Sequence, residues 1–251
     1  MKSVNLILER CCTSLEQVRE AAECGAARVE LCENLEVGGV TPSEELIRAA
    51  VGVCGIAVNV LVRPRGGSFV WSSDEIAQME ESIRLCRDIG ADGVVIGALT
   101  PEGEVDMPAM QRLVRVARKD GRPQAAPPQA APPQAAPFQA AFPQAAPPQA
   151  EMHRGLSVTF HRAFDCAADP FRALEDVIAL GCDRLLTSGQ QPTAPEGREL
   201  LKSLVHAADG RIIVMPGSGV TPQNLGKLAS YCGAVEFHGT RLGRRSEPCD
   251  D

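Results

Sequence analysis

The sequence predicts one (β/α)8 TIM barrel spanning 1–251, an α/β chain that lacks its final helix. Three observations predict it. Eight short apolar runs alternate with amphipathic helical runs along the chain. Glycine, proline and capping residues punctuate the joints between them. Charged or polar residues stand near the C-terminal ends of five of the eight runs, where such barrels place their sites.

The strands read as Asn5–Cys11, Arg28–Cys32, Ala57–Arg63, Gly93–Leu99, Leu156–His161, Arg184–Ser188, Arg211–Met215 and Ala234–His238. Between them lie helical patterns at Ser14–Cys24, Ser43–Val51, Ser73–Ile89, Met107–Arg118, Pro170–Leu180, Gly197–Ala208 and Pro222–Ser230. Thr41-Pro42 and Thr221-Pro222 set an N-cap before a proline suited to the first helical turn. Ser73 followed by Ile76 and Met79 opens an amphipathic run. Gly25, Gly90 and Gly181 supply helix ends. After His238 only the polar stretch 239–251 follows, so no eighth amphipathic helix is predicted. The gap in the outer ring predicts weak stability or cover from another subunit.

Residues 123–150 interrupt the pattern with a five-residue repeat of Gln, Ala, Ala, Pro and Pro, varied by Phe138 and Phe142. Proline this dense removes backbone donors and fixes φ, which predicts a disordered, partly polyproline-II insertion before strand five. Loop closure costs only about 0.6 kcal/mol per doubling of length, so the barrel should tolerate it.

The chain has 251 residues, 44% hydrophobic and 23% charged, with a net charge of −7. That balance argues against a nucleic-acid binder. No run of about 20 apolar residues is present to span a membrane. Residues 1–10 lack the basic and apolar regions of a signal peptide, which predicts a cytoplasmic location. The ten cysteines form no Cys-x-x-Cys pair and no zinc spacing, so most are expected as thiols.

Strand alternation assigns faces. Leu6, Leu8, Val29, Leu31, Val58, Val60, Val62, Val158, Phe160, Val235 and Phe237 should face the helices. Glu9, Cys11, Glu30, Cys32, Asn59, Leu61, Arg63, Arg65, Thr159, His161, Glu236 and His238 should face inward. Buried charges must pair, bind a ligand or reach solvent. One expectation is an internal network of Glu9, Glu30 and Glu236 with Arg63, Arg65 and His161. The other is a pocket at the C-terminal mouth.

Three chemistries fit such a pocket. Glu9-x-Cys11 and Glu30-x-Cys32 repeat one motif on neighbouring strands ~4.8 Å apart, placing two thiols on one face. That pair suits Cu(I), with Arg63 or Arg65 favouring the thiolate form. Alternatively the two cysteines simply pack, and Cys12 should face the other way. The second chemistry is that of an enzyme acting on a small phosphorylated or carboxylated metabolite. There His161 or Glu30 would move protons, while Arg63 and Arg65 hold the anion. The turns at Gly217-Ser218-Gly219 and Gly239, after strands seven and eight, would form an anion cradle. The third is a hard divalent-metal site of Glu9, Glu30, Glu236 and His161 or His238. The segment from Pro64 to Trp71 reads as a loop over the mouth, either mobile or a rigid turn. The stretch Val158-Thr-Phe-His-Arg-Ala-Phe-Asp165 places His161, Arg162 and Asp165 where its strand ends.

Several stretches together resemble the CutC family of copper homeostasis proteins. They are Val29-Glu-Leu-Cys32, Gly38-Gly-Val-Thr-Pro-Ser43, Val62-Arg-Pro-Arg-Gly-Gly67, Asp92 to Thr100, Val158 to Asp165, Leu185-Leu-Thr-Ser-Gly189, Val214-Met-Pro-Gly217 and Glu236-Phe-His238. The resemblance runs from about residue 6 to 240, without the repeat. It implies a (β/α)8 barrel, a cytoplasmic location, homo-oligomers and a role in copper handling, with Cu(I) ligands at Cys11 and Cys32. The inserted repeat and the missing last helix depart from the family pattern.

Overall fold

A computed structural model describes residues 6–118 and 155–243. Eight strands alternate with seven helices among the described residues. They run β1 (Ile7–Cys12), α1 (Leu15–Glu23), β2 (Arg28–Leu31), α2 (Glu44–Val51), β3 (Ala57–Leu61), α3 (Ser73–Ile89), β4 (Gly93–Ile96) and α4 (Met107–Ala117). The series continues with β5 (Ser157–Phe160), α5 (Pro170–Ala179), β6 (Arg184–Thr187), α6 (Arg198–Ala208), β7 (Ile213–Pro216), α7 (Pro222–Cys232) and β8 (Glu236–Gly239). Short 3-10 turns occupy Leu35–Val37 and Arg162–Cys166.

All paired strands are parallel, in the order β7-β6-β5-β4-β3-β2-β1-β8. β8 returns to pair with β1, which nearly closes the sheet into the expected barrel. Val29, Leu31, Val58, Val60, Val62, Val158, Phe160 and Phe237 pack in the shell between strands and helices. Each such side chain, fully buried, contributes roughly 1.5–3 kcal/mol. Val235 departs from its expected burial and is 48% exposed. Cys11, Cys32, Leu61 and Val95 form a separate small cluster inside the barrel.

Local chemistry explains the joints. Ser72 and Glu75 form a capping box at α3, and Thr221 with Asn224 does the same at α7. Asp169 caps α5 ahead of Pro170. Several strands are shorter than expected because other partners claim their ends. Leu99 leaves β4 to bond Phe69 and to bridge Val105. Arg211 does not open β7; its guanidinium binds Glu175 and the last carbonyls of α6.

The repeat at 123–150 lies outside the described residues, as do residues 244–251, where a final helix would begin. The ends flanking the repeat meet at the N-terminal end of β5. Leu156 N–H donates to the Ala117 carbonyl at 2.9 Å. The Arg118 guanidinium reaches the carbonyls of Leu156 and Gly181 and the Asp183 carboxylate at 2.7 Å. The chain therefore leaves and re-enters the barrel at one point, away from the C-terminal mouth. Among the described residues no helix is long and apolar enough to cross a membrane.

Candidate functional site at the barrel mouth

The interior divides into a lower layer, at the strand starts, and an upper layer, at their C-terminal ends. In the lower layer Arg28 Nε donates to Glu9 Oε2 at 2.5 Å, and its Nη2 donates to Glu236. Arg184 Nε reaches the same Glu236 oxygen at 2.8 Å, and Asn59 Nδ2 reaches Glu9 at 3.1 Å. Arg28 Nη2 also contacts Met215 Sδ. Burial works to raise the Glu9 pKa, but Arg28 and His238 outweigh it and hold the carboxyl at about 2. The expected internal ion pairs exist with different cations. Arg28 and Arg184 open their strands and point inward, whereas Arg63, Arg65 and His161 take no part.

Above this layer lies a thiol corner. Cys11 Sγ is 3.6 Å from Cys32 Sγ. One ligand atom each from Cys11, Glu30 and His238 lie within 4.8 Å of one another, and all three residues are buried. The strand pattern explains the convergence. Cys11 sits opposite Glu30 in the β1–β2 ladder, and Glu9 sits opposite His238 in the β1–β8 ladder. Glu9 Oε1 lies 2.9 Å from His238 Nδ1, which fixes the ring and leaves its other nitrogen for a ligand. Burial lifts the Glu30 pKa to about 7 against the pull of His238. For His238, burial is outweighed by Glu30, Cys11 and Glu9, which raise its pKa well above the usual value. The Cys11 thiol is pushed far up by its hydrogen bond to Cys32 and by burial. The cation beside it is His238, whereas Arg63 is bonded to loop carbonyls and Arg65 to Glu75. Cys12 packs in the outer shell, as alternation required.

Arg63 and His161 meet elsewhere in the mouth, against Phe69. The Arg63 guanidinium carbon stands 4.8 Å from the Phe69 ring centre, and the His161 ring 5.0 Å. Arg63 Nη1 donates to the carbonyls of Val37 and Gly39, and Nη2 to that of Gly67. Gly97 makes room for His161, since a Cβ there would sit 2.5 Å from the imidazole. The Trp71 indole N–H binds the Gly97 carbonyl at 2.9 Å. Burial, and then the Arg63 charge, depress the His161 pKa to about 3.

Arg65 does not face the interior. It pairs with Glu75 at 2.6 Å, lies over Trp71 at 4.7 Å and donates to three loop carbonyls. Beyond the end of β3 the chain no longer alternates like a strand, which is why extrapolated facing failed there. Arg162 and Asp165 lie on the C-terminal rim, in the turn after β5, but are committed to a structural clamp. Asp165 accepts from Thr187 Oγ1, Ser188 N and Oγ, and Gln190 N, tying the turn after β5 to the turn after β6. Arg162 completes that clamp through Asp165 and Ser188.

The glycines expected to cradle an anion are explained by packing. A Cβ on Gly217 would strike Leu186, one on Gly219 would strike Thr193, and one on Gly239 would strike the Val220 carbonyl. Ser218 Oγ donates to the Pro192 carbonyl.

Among the described residues four buried side-chain atoms have no hydrogen-bond partner: Glu30 Oε2, Arg63 Nε, Thr159 Oγ1 and His161 Nε2. All four belong to inward-facing residues, and a native interior normally satisfies such atoms.

These features define a parallel (β/α)8 barrel with two thiols, an imidazole and a carboxyl gathered inside its C-terminal half. The chain belongs to the CutC family, whose model matches residues 6–122 and 145–243 and skips most of the repeat. It is 42% identical over 238 residues to a family protein CutC of Chromobacterium violaceum, covering 95% of this chain and 82% of that one. It is 43% identical over 233 residues to a family protein CutC of Parabacteroides distasonis, covering 92% and 81%. A solved CutC from Streptococcus agalactiae, whose name attaches it to copper homeostasis, superimposes with a TM-score of 0.76 at 30% identity, covering 94% of this chain and 99% of that one.

Proposed function

We propose that this CutC-family barrel serves copper homeostasis by binding Cu(I) between Cys11 and Cys32, with His238 as a third donor. The observation that carries the reading is the 3.6 Å separation of the two sulfurs in a buried corner beside a ring nitrogen. Soft thiolates select Cu(I) over hard divalent ions, and imidazole suits copper as well. The same chemistry argues against a magnesium- or calcium-type site, because Glu9 and Glu236 are already committed to Arg28 and Arg184. The copper-homeostasis name of the Streptococcus agalactiae relative supports the assignment.

Binding requires the thiol protons to leave, so affinity falls as pH falls. Glu9 acts from behind by holding the His238 ring. The nine described cysteines are all free thiols, which supports a reducing compartment such as the cytoplasm. The exposed Val235 and Tyr231 near β8 support self-association as the way that face is covered. Catalysis by proton transfer is the weaker reading. A general base works best with a pKa near the operating pH; His161 sits at about 3, and Glu30, held at about 7, lies in the thiol corner beside Cys11 and His238 rather than with Arg63.

The test is an anaerobic Cu(I) titration against a competing chelator, wild type beside Cys11→Ser/Cys32→Ser. The reading expects tight binding that the double variant abolishes and that His238→Gln weakens by removing one donor. Equal affinity in wild type and double variant would remove the thiol site.

A further inference from the structure

We propose that the barrel mouth holds a second site, formed by Arg63 and His161 with Thr159 beneath them, which takes the carboxylate of a small organic acid. It is independent of the copper reading and uses none of the same side chains.

The first argument is charge. Arg63 is only 5% exposed, and its hydrogen-bond acceptors among the described residues are the carbonyls of Val37, Gly39 and Gly67. A buried cation without an anionic partner costs several kcal/mol. Each of the other inward-pointing arginines has a carboxylate: Arg28 has Glu9 and Glu236, and Arg184 has Glu236. Arg63 is the exception.

The second argument is hydrogen-bond polarity. His161 Nδ1 accepts from the Ala163 N–H at 3.1 Å. A neutral imidazole carries one proton, so that bond puts it on Nε2 and makes Nε2 a donor. Nε2 is buried and has no acceptor. Arg63 Nε is likewise a donor, buried and unpartnered, and the Thr159 hydroxyl, fully buried on the same face of β5, is a third. Two unmatched N–H donors, one of them on the cation itself, and a hydroxyl free to donate suit a group that only accepts. An ionised carboxylate accepts at both oxygens. Its single negative charge matches the one unpaired positive charge here, whereas a phosphate dianion would leave an excess buried charge.

The third argument is construction. Leu61 pairs with Val95 and Val95 with Thr159, so the row one step higher runs Arg63, Gly97, His161. The middle position has no side chain, which lets the His161 ring lean across it towards β3, and Phe69 touches both outer residues. The Phe69 ring is the natural cover, and a ligand would enter by displacing it.

Sodium acetate is the probe, titrated into metal-free protein labelled with nitrogen-15 while the His161 ring nitrogens are followed by NMR at neutral pH. The expected result is a neutral ring protonated on Nε2 whose signals move saturably with acetate and not with sodium chloride at matched ionic strength. Arg63→Met should abolish the response. Thr159→Val, which keeps shape and removes only a hydroxyl, should weaken it several-fold in a folded protein. The Cys11→Ser/Cys32→Ser variant should respond like wild type, whatever happens to its copper binding. An unresponsive ring in folded protein, an equal response to chloride, or a response to inorganic phosphate alone would overturn the proposal.

Discussion

The lower and upper layers of this barrel use the same residue types to opposite ends. Below, Arg28 and Arg184 are matched by Glu9 and Glu236, and every oxygen and nitrogen of that network that is buried has a partner. Above, Arg63, Glu30, His161 and Thr159 are equally buried, yet each keeps an unmatched atom. A buried charge by itself does not distinguish structure from function. Its degree of satisfaction does, because an unmatched polar atom is costly and persists where a ligand relieves it.

The largest effect expected from breaking this contrast lies below. Arg28→Met leaves Glu9 and Glu236 without their shared cation and should cost about 3–5 kcal/mol, read by urea unfolding. A loss under about 1 kcal/mol would mean the network is dispensable. Next comes acid. The Glu9 pKa is about 2 in the fold against 4.5 unfolded, so its contribution is complete above pH 4.5 and is lost as pH falls towards 2. That amounts to about 3 kcal/mol. His161 acts in the same direction, from 6.5 down to about 3. Stability that stayed level between pH 6 and 3 would contradict both.

Glu30 behaves oppositely. Its folded pKa of about 7 exceeds the unfolded 4.5, so stability is present below 4.5 and lost as pH rises through 7. Glu30→Gln should therefore gain on wild type by up to about 3 kcal/mol between pH 4.5 and 8. A pH-independent difference would show that Glu30 is not strained by burial. The smallest effect belongs to the repeat. Deleting residues 124–150 should shift stability by no more than about 1 kcal/mol, because its flanks already meet. A larger loss in the melting curve would mean that the segment packs on the barrel.

Much of this was legible in the sequence. Alternation alone put Glu9, Cys11, Glu30, Cys32, His161, Glu236 and His238 inside, because a buried parallel strand has a strict period of two. The barrel itself followed from the alternation of apolar runs and capped helices. Other features were not legible, for physical reasons. Arg28 and Arg184 open their strands, where a charge also reads as a solvated flank. Arg65 lies past the end of β3, where the period no longer applies and Glu75 offers a nearer partner. Asp165 looked like a site acid, but besides Arg162 its donors come from the end of β6 and the turn after it, more than twenty residues later in the chain. The glycines at 217, 219 and 239 serve contacts with distant side chains and carbonyls that no local pattern encodes. That the upper layer is unsatisfied could be read only from three-dimensional hydrogen-bond accounting.

The most direct test of the central claim is copper K-edge X-ray absorption on the protein loaded anaerobically with one equivalent of Cu(I). The account predicts two sulfur neighbours, both lost in Cys11→Ser/Cys32→Ser, and one nitrogen neighbour lost in His238→Gln. A copper ion bound through nitrogen and oxygen alone, or sulfur neighbours that survive the double substitution, would contradict it.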